Sequence, residues 1–412
     1  MYDKLRKDAE IIINEAITEV LPDKAVKEAL KDFKKPEGKL IMVAVGKAAY
    51  TMGKTAAEIV DIDGGIIISK YNHIKSPVEN IICEEAGHPV LDQNGIDATK
   101  TAIELVSNLT DKDEVLFLLS GGASALFEAP LIPLKDLQNI NTQLLNCGAD
   151  ITEINTIRKR LSKVKGGKFG NLCKPAKVYS IILSDVVGDQ LDMIGSGPTA
   201  IDTSTCEDAK KIVEKYHLIL KDDALYYLNK ETPKDIDNAE NNVVGSVRQL
   251  CEAAKKSAER LGYDTEILSD HIDGEARIAG KELGKFVSQT YSNYKKPTAY
   301  IEGGETTVTI KGNGLGGRNQ EIALAATREI SNKPIAIFSI GSDGTDGPTD
   351  AAGGYIDGSS LSRFENLGIY YREYLDNNDS YHALEKIDGL IITGPTGTNV
   401  NDLTVALILP EQ

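Results

Sequence analysis

KLIMVAVGKAAYTMGKT, residues 39–55, is a short apolar run, a glycine and then a helix-compatible stretch. A strand that turns at Gly46 into a helix is the unit from which α/β folds are built. The stretch nearly spells a phosphate-binding P-loop, which needs Gly, four residues and then Gly-Lys-Ser/Thr. Here six residues separate Gly46 from Gly53. Residues 48–52, AAYTM, favour a helix over a loop that wraps phosphate. Lys47 therefore stands at the helix start, and Gly53-Lys54-Thr55 is expected to lie along the helix as scaffold.

The same alternation continues in both directions. Strand candidates are 39–45, 64–70, 114–120 and 177–184, with helices such as IDATKTAIELVSNL between them. Around ETPKDIDNAEN, 231–241, apolar periodicity is lost, which marks a linker or domain edge. A second set follows at 263–269, 298–310, 334–342, 388–394 and 403–409, with a strand pair turned at Gly312-Asn313-Gly314. The expectation is two α/β domains, a Rossmann-like one over 1–235 and another over 236–412.

Bulk properties narrow the function. A chain of 412 residues, 41% hydrophobic, can bury more than one core. A net charge of −16 argues against nucleic acid or an anionic membrane as partner. No apolar stretch approaches the length of a membrane span, and the N-terminus reads as a mixed-charge helix rather than a signal peptide, so a cytoplasmic location is expected. Five widely spaced cysteines without a C-x-x-C pair suggest neither a disulfide framework nor a zinc site.

Strand after strand ends in a loop of Gly, Ser, Asp or Thr: VGK (45–47), SGGAS (120–124), SDVVGD (184–189), EGGETT (302–307), GSDGTDG (341–347) and GPTGTN (394–399). In α/β sheets ligands bind beyond the carboxyl ends of strands. SGGAS can cradle phosphate with backbone amides. A serine-hydrolase elbow at Ser124 fails because Leu126 stands where Gly is required. Asp185, Asp189 and Asp192 follow one strand, and Asp343, Asp346 and Asp350 follow another. Such carboxylates hold Mg²⁺ or deprotonate a hydroxyl, although each alone also suits a turn.

Two segments carry positive charge. RKRLSKVKGGK, 158–168, has six basic residues and no acid; it is either a solvated face or an anion-recruiting patch. Its spacing puts Arg158 with Lys165 on one helix face, with Gly166-Gly167 as the stop. Arg318 opens a helix, where a cation faces the positive end of the dipole. A bound anion or a nearby surface acid would each account for it. His88, before Pro89, is a single histidine, and the remaining four show no metal-ligand spacing.

GKAA (46–49), GHPVLD (87–92), LLSGGASAL (118–126), NTIRKRLSKVKGGK (155–168), SDVVGDQLDMIGSGPT (184–199), GGETTVTIKGNGLGGRNQE (303–321), SDGTDGPTDAAG (342–353) and TGTNVNDL (396–403) together resemble the glycerate kinases of the second class. That group includes the archaeal and bacterial glycerate 2-kinases and carries a C-terminal MOFRL domain. The resemblance covers nearly the whole chain. It implies transfer of the ATP γ-phosphoryl group to D-glycerate, giving 2-phosphoglycerate, with Mg²⁺ as cofactor and a cleft between two α/β domains. It implies functional roles for Lys47, Asp189, Arg318 and Asp346. Gly46, Ser120, Gly121, Gly122, Ser124, Arg158, Lys165, Glu305 and Asn319 are then expected around the substrates, with Asp343 and Asp346 at the metal. A homodimer is compatible with it. The alternatives are a hydroxypyruvate reductase, for which the G-x-G-x-x-G fingerprint is missing, and a kinase acting at the 3-hydroxyl or on another small sugar acid. A non-catalytic nucleotide or sugar-acid sensor is a further rival.

Overall fold

The computed structural model describes residues 1–410. Two compact units divide the chain, one spanning Ala25–Val244 and the other joining Met1–Lys24 to the chain from Gly245 onward.

The first unit is built on a six-stranded sheet in the order β3-β2-β1-β4-β5-β6. The strands are β1 (Leu40–Val45), β2 (Gly64–Lys70), β3 (Ile81–Ala86), β4 (Glu114–Leu119), β5 (Lys177–Leu183) and β6 (Ala239–Gly245). From β3 across to β5 every pairing is parallel. Parallel strands are covered by helices on both faces and so read as continuous apolar runs. All six residues of β1 are buried. Alternate residues divide between the two faces: Ile41, Val43 and Val45 join one core, while Leu40, Met42 and Ala44 join the other. The helix Ala49–Ile59 follows β1 as expected and carries Gly53, Lys54 and Thr55 along its length.

The second unit holds β7 (Asp264–Ile272), β8 (Thr298–Gly304), β9 (Ile335–Gly341), β10 (Gly353–Asp357), β11 (Leu390–Ile391) and β12 (Asp402–Ile408), in the order β11-β10-β9-β12-β8-β7. Only β7 and β8 pair in parallel; β8-β12, β12-β9, β9-β10 and β10-β11 are antiparallel.

Several expectations are corrected. The N-terminal helix Tyr2–Glu19 belongs to the second unit, because Leu5, Ala9, Ile12, Ile13 and Ala16 pack with Val247, Leu250 and Phe338. Its apolar stripe is plain in the sequence, but a stripe does not say which sheet it covers. The expected boundary at 235/236 moves to 244/245, since β6 pairs at the edge of the first sheet. Residues 305–317 form no hairpin. Their N–H groups are met from a distance: Lys311 and Gly312 donate to Asn378 Oδ1, Asn313 to Asn377 Oδ1 and Leu315 to Asp379 Oδ1. Among the described residues no helix is long and apolar enough to cross a membrane.

Candidate active site

In the first unit, the ends of β1 and β4 meet. Gly46 has φ +124, and a Cβ there would run into the Ser120 side chain and carbonyl. Only glycine turns the chain this tightly against its neighbour. The hydroxyl of Ser120 accepts from Ala48 N–H at 3.1 Å, and Lys47 N–H donates to the Gly121 carbonyl at 2.9 Å. The two loops are thereby tied together, and Lys47 is fixed at the junction. His73 Nδ1 is 3.0 Å from the Lys47 carbonyl.

Gly122 has φ +87, and a Cβ there would lie 3.0 Å from the His88 ring and 3.2 Å from Lys47 Cγ. His88, Gly122 and Lys47 thus share one wall. Burial, reinforced by the nearby Lys47, Lys70 and His73, lowers the His88 pKa. On the other side, a Cβ at Gly121 would collide with the Asp185 carboxylate.

The SDVVGD loop separates its carboxylates. Asp192 is paired, 3.0 Å from Lys159 Nζ. Asp189 takes a left-handed φ of 50, and its Oδ1 is buried without a hydrogen-bond partner. A buried acceptor without a donor costs about 1–3 kcal/mol.

The basic run is mostly interior. The helix ends at Leu161, so Arg158 and Lys165 do not share a helix face. Lys159 and Arg160 are buried around Asp202, and Lys165 is buried 3.1 Å from Glu128 Oε2. Lys168 Nζ donates to the carbonyls of Lys159, Arg160 and Ser162, and burial pulls its pKa down to about 8. Lys163 is exposed. The expectation that Lys165 touches substrate is therefore corrected: its charge is spent on Glu128. Arg158 and Ser124 do share a pocket of about 540 Å³ with Glu128 and His88.

In the second unit, Arg318 is at the first position of the helix Arg318–Ala326. Its Nε donates to Asp402 Oδ2 at 2.5 Å and Nη2 to Asp402 Oδ1 at 3.0 Å, while Nη1 reaches Glu305 Oε1 at 2.8 Å. Burial disfavours the charge, but Asp402 and Glu305 outweigh it and raise the pKa. Asp402 and Glu305 are the acid partners that answer the adverse dipole. Asp402 opens β12 inside the TGTNVNDL stretch, whose acid before an apolar run was the available signal.

Asp346 is buried, and its oxygens accept from the backbone N–H groups of Asn319 at 3.1 Å and Gln320 at 2.9 Å. It caps the helix that carries Arg318. Burial raises its pKa to about 6. Asp343 Oδ1 accepts from Thr345 N–H and hydroxyl, and its second oxygen has no protein donor among the described residues. Among the described residues no group of three His, Cys, Asp or Glu side chains is placed to hold a metal ion.

A family model described as Domain of unknown function (DUF4147) matches residues 8–229, and one described as MOFRL family matches residues 298–402. The chain is 47% identical to D-glycerate 2-kinase of Thermotoga maritima over 99% of this chain and 100% of that one. The chain belongs to the glycerate 2-kinase family. A second family member, glycerate 2-kinase of Pyrococcus horikoshii, is 41% identical over 97% of each chain. The crystal structure of a glycerate kinase from Thermotoga maritima superposes with a TM-score of 0.95 at 46% identity, covering 99% of this chain and 100% of that one. The family's two-part organisation agrees with the two sheets seen here.

Proposed function

We propose that the protein is a glycerate 2-kinase, transferring the γ-phosphoryl group of ATP to the 2-hydroxyl of D-glycerate in the cytoplasm. The observation that carries this reading is the end-to-end relationship to a kinase named for that reaction. Phosphoryl transfer is mostly positioning and charge neutralisation, and the described residues suit both tasks. Lys47, fixed by the Ser120 and Gly121 contacts, supplies a cation beside a glycine loop that lets a phosphate approach the backbone. Asp189, with an unpartnered oxygen, accepts the proton of the attacking hydroxyl. Within the second unit, the Arg318 guanidinium is held rigid by Asp402. Such preorganised donors stabilise developing charge without reorganising at the moment of reaction.

Mg²⁺, when bound, would supply positive charge that offsets part of the charge of the phosphates being transferred. Asp343 is the one carboxylate of the expected pair with an oxygen left for it. This fits a cation that takes one or two carboxylates with phosphate oxygens and water.

The test is product identification by coupling to enolase. Signal that needs both ATP and D-glycerate, without added phosphoglycerate mutase, is the expected result. Signal only with the mutase places the phosphate on the 3-hydroxyl and overturns the regiochemistry. ATP consumption independent of glycerate overturns the whole reading.

A further inference from the structure

Interior pairs do not consume the whole of the basic run 158–168. A second cavity of the first unit, about 600 Å³ in volume, lies where the end of that run meets Tyr227 and Lys230. Ile103, Leu131, Leu172, Tyr227 and Pro233 give it apolar walls. Its lining lies outside the glycine loops that carry Lys47, Ser120 and Asp189.

Four cations, Arg160, Lys163, Lys168 and Lys230, line this cavity against one acid, Glu231. The balance is the reverse of the chain's, which carries 46 basic and 62 acidic residues. Arg160 is already paired with Asp202 at 3.6 Å and Glu231 at 3.4 Å. The three lysines make no ion pair among the described residues. Lys168 Nζ gives its hydrogens to the carbonyls of Lys159, Arg160 and Ser162, which satisfy them without cancelling the charge. Lys230 Nζ lies 4.0 Å from the centre of the Tyr226 ring and 5.6 Å from that of Tyr227, contacts that steady an ammonium and leave it charged. Lys163 is pinned through its backbone, N–H to the Ala129 carbonyl at 2.8 Å, and its side chain is exposed. Like charges gathered around one cavity repel, and a bound anion relieves that repulsion.

We propose that this cavity binds an organic phosphate monoester with an aromatic or apolar body, at a site separate from the phosphoryl-transfer site and independent of the kinase reading. A monoester carries a charge of about −1.5 to −2 at pH 7, which suits several ammonium groups better than a single carboxylate would. Lys163 and Lys230 meet the phosphate as point charges with free hydrogens, and Lys168 adds its field from the wall. The apolar walls take the body of the ligand out of water. Inorganic phosphate would leave those walls idle.

Phenyl phosphate is the probe, titrated calorimetrically into the full-length protein. Binding is expected to be at least about tenfold tighter than for inorganic phosphate or for phenol, and unchanged by saturating ADP. Lys163→Ala and Lys230→Ala, both at exposed positions, should each weaken it about fivefold or more, with the urea midpoint unmoved. Lys256→Ala, an exposed lysine of the second unit, should leave it unchanged. Absence of binding at millimolar probe overturns the proposal, as does full affinity in both cavity variants or an equal loss in Lys256→Ala. Displacement by ADP overturns it too, by assigning the probe to the nucleotide's site. Equal affinity for inorganic phosphate overturns the ligand class.

Discussion

Arg318 and Asp402 are locked by two parallel hydrogen bonds, Nε to Oδ2 at 2.5 Å and Nη2 to Oδ1 at 3.0 Å. The acid is buried at the start of one strand and the base opens a helix 84 positions earlier. Lysine cannot reproduce this fork. Arg318→Lys should lower kcat/KM by about two decades, in line with the loss of a positioned charge donor. Asp402→Asn should release the guanidinium and cost about 1–3 kcal/mol, a figure discounted for the partial exposure of Arg318. Steady-state kinetics and urea melts read the two effects separately, and unaltered turnover in Arg318→Lys would remove Arg318 from the site.

Lys47 is held through its backbone, so its side chain can be removed without disturbing the loop junction. Lys47→Ala is expected to lose about two or more decades in kcat while the urea midpoint stays within about 0.5 kcal/mol of the parent. A variant with normal turnover sinks the assignment.

Asp189→Asn replaces a carboxylate whose Oδ1 lacks a partner. Loss of a general base lowers kcat by about a hundredfold or more, with little change in the KM for glycerate. Single-turnover measurement of the chemical step checks this; a kcat within a few-fold of the parent would give the proton to another group.

The basic run is separable by burial. Lys165→Met strands Glu128 in the interior and should destabilise by about 3–5 kcal/mol. Lys163→Ala, at an exposed position, should change neither stability nor the KM for ATP. A large rise in that KM for Lys163→Ala would revive the reading of the run as an anion-recruiting surface.

Glu302 supplies a pH test. Burial, with Glu282 nearby, raises its pKa from 4.5 to about 7. Between those values the folded chain holds a proton that the unfolded chain has released. Stability from this group is therefore full below the ordinary carboxyl range and is lost as pH rises through about 7. Glu302→Gln should be more stable than the parent at pH 8, by up to about 3 kcal/mol, and should flatten the stability profile between pH 5 and 8. Parallel profiles for the two proteins would show that Glu302 titrates normally.

Local chemistry made much of this architecture readable. Central strands such as β1 and β4 are buried on both faces, so they stand out as apolar runs, and the Gly46 and Gly122 turns follow from positive φ at strand ends. β3 and β6 lie at the edges of their sheet and β10 is short and begins with two glycines; each mixes polar or flexible residues and gives no such run. GNG at 312–314 reads as a hairpin turn, yet Asn377, Asn378 and Asp379 take up its backbone donors. His73 at the Lys47 carbonyl and Glu128 in the pocket had no local mark at all.

By itself the sequence determined the strand-to-helix rhythm, the glycine turns, the family and the short list of charged residues from which a phosphoryl-transfer site is made. Tertiary structure alone decided which of those charges remain available. Lys159, Arg160 and Lys165 are consumed by Asp202 and Glu128, Asp346 by the start of a helix, and Arg318 is aimed by Asp402. Each pairing joins residues dozens of positions apart, and a charge's energy depends on what surrounds it in space; hydrophobic periodicity records only which face of an element is buried.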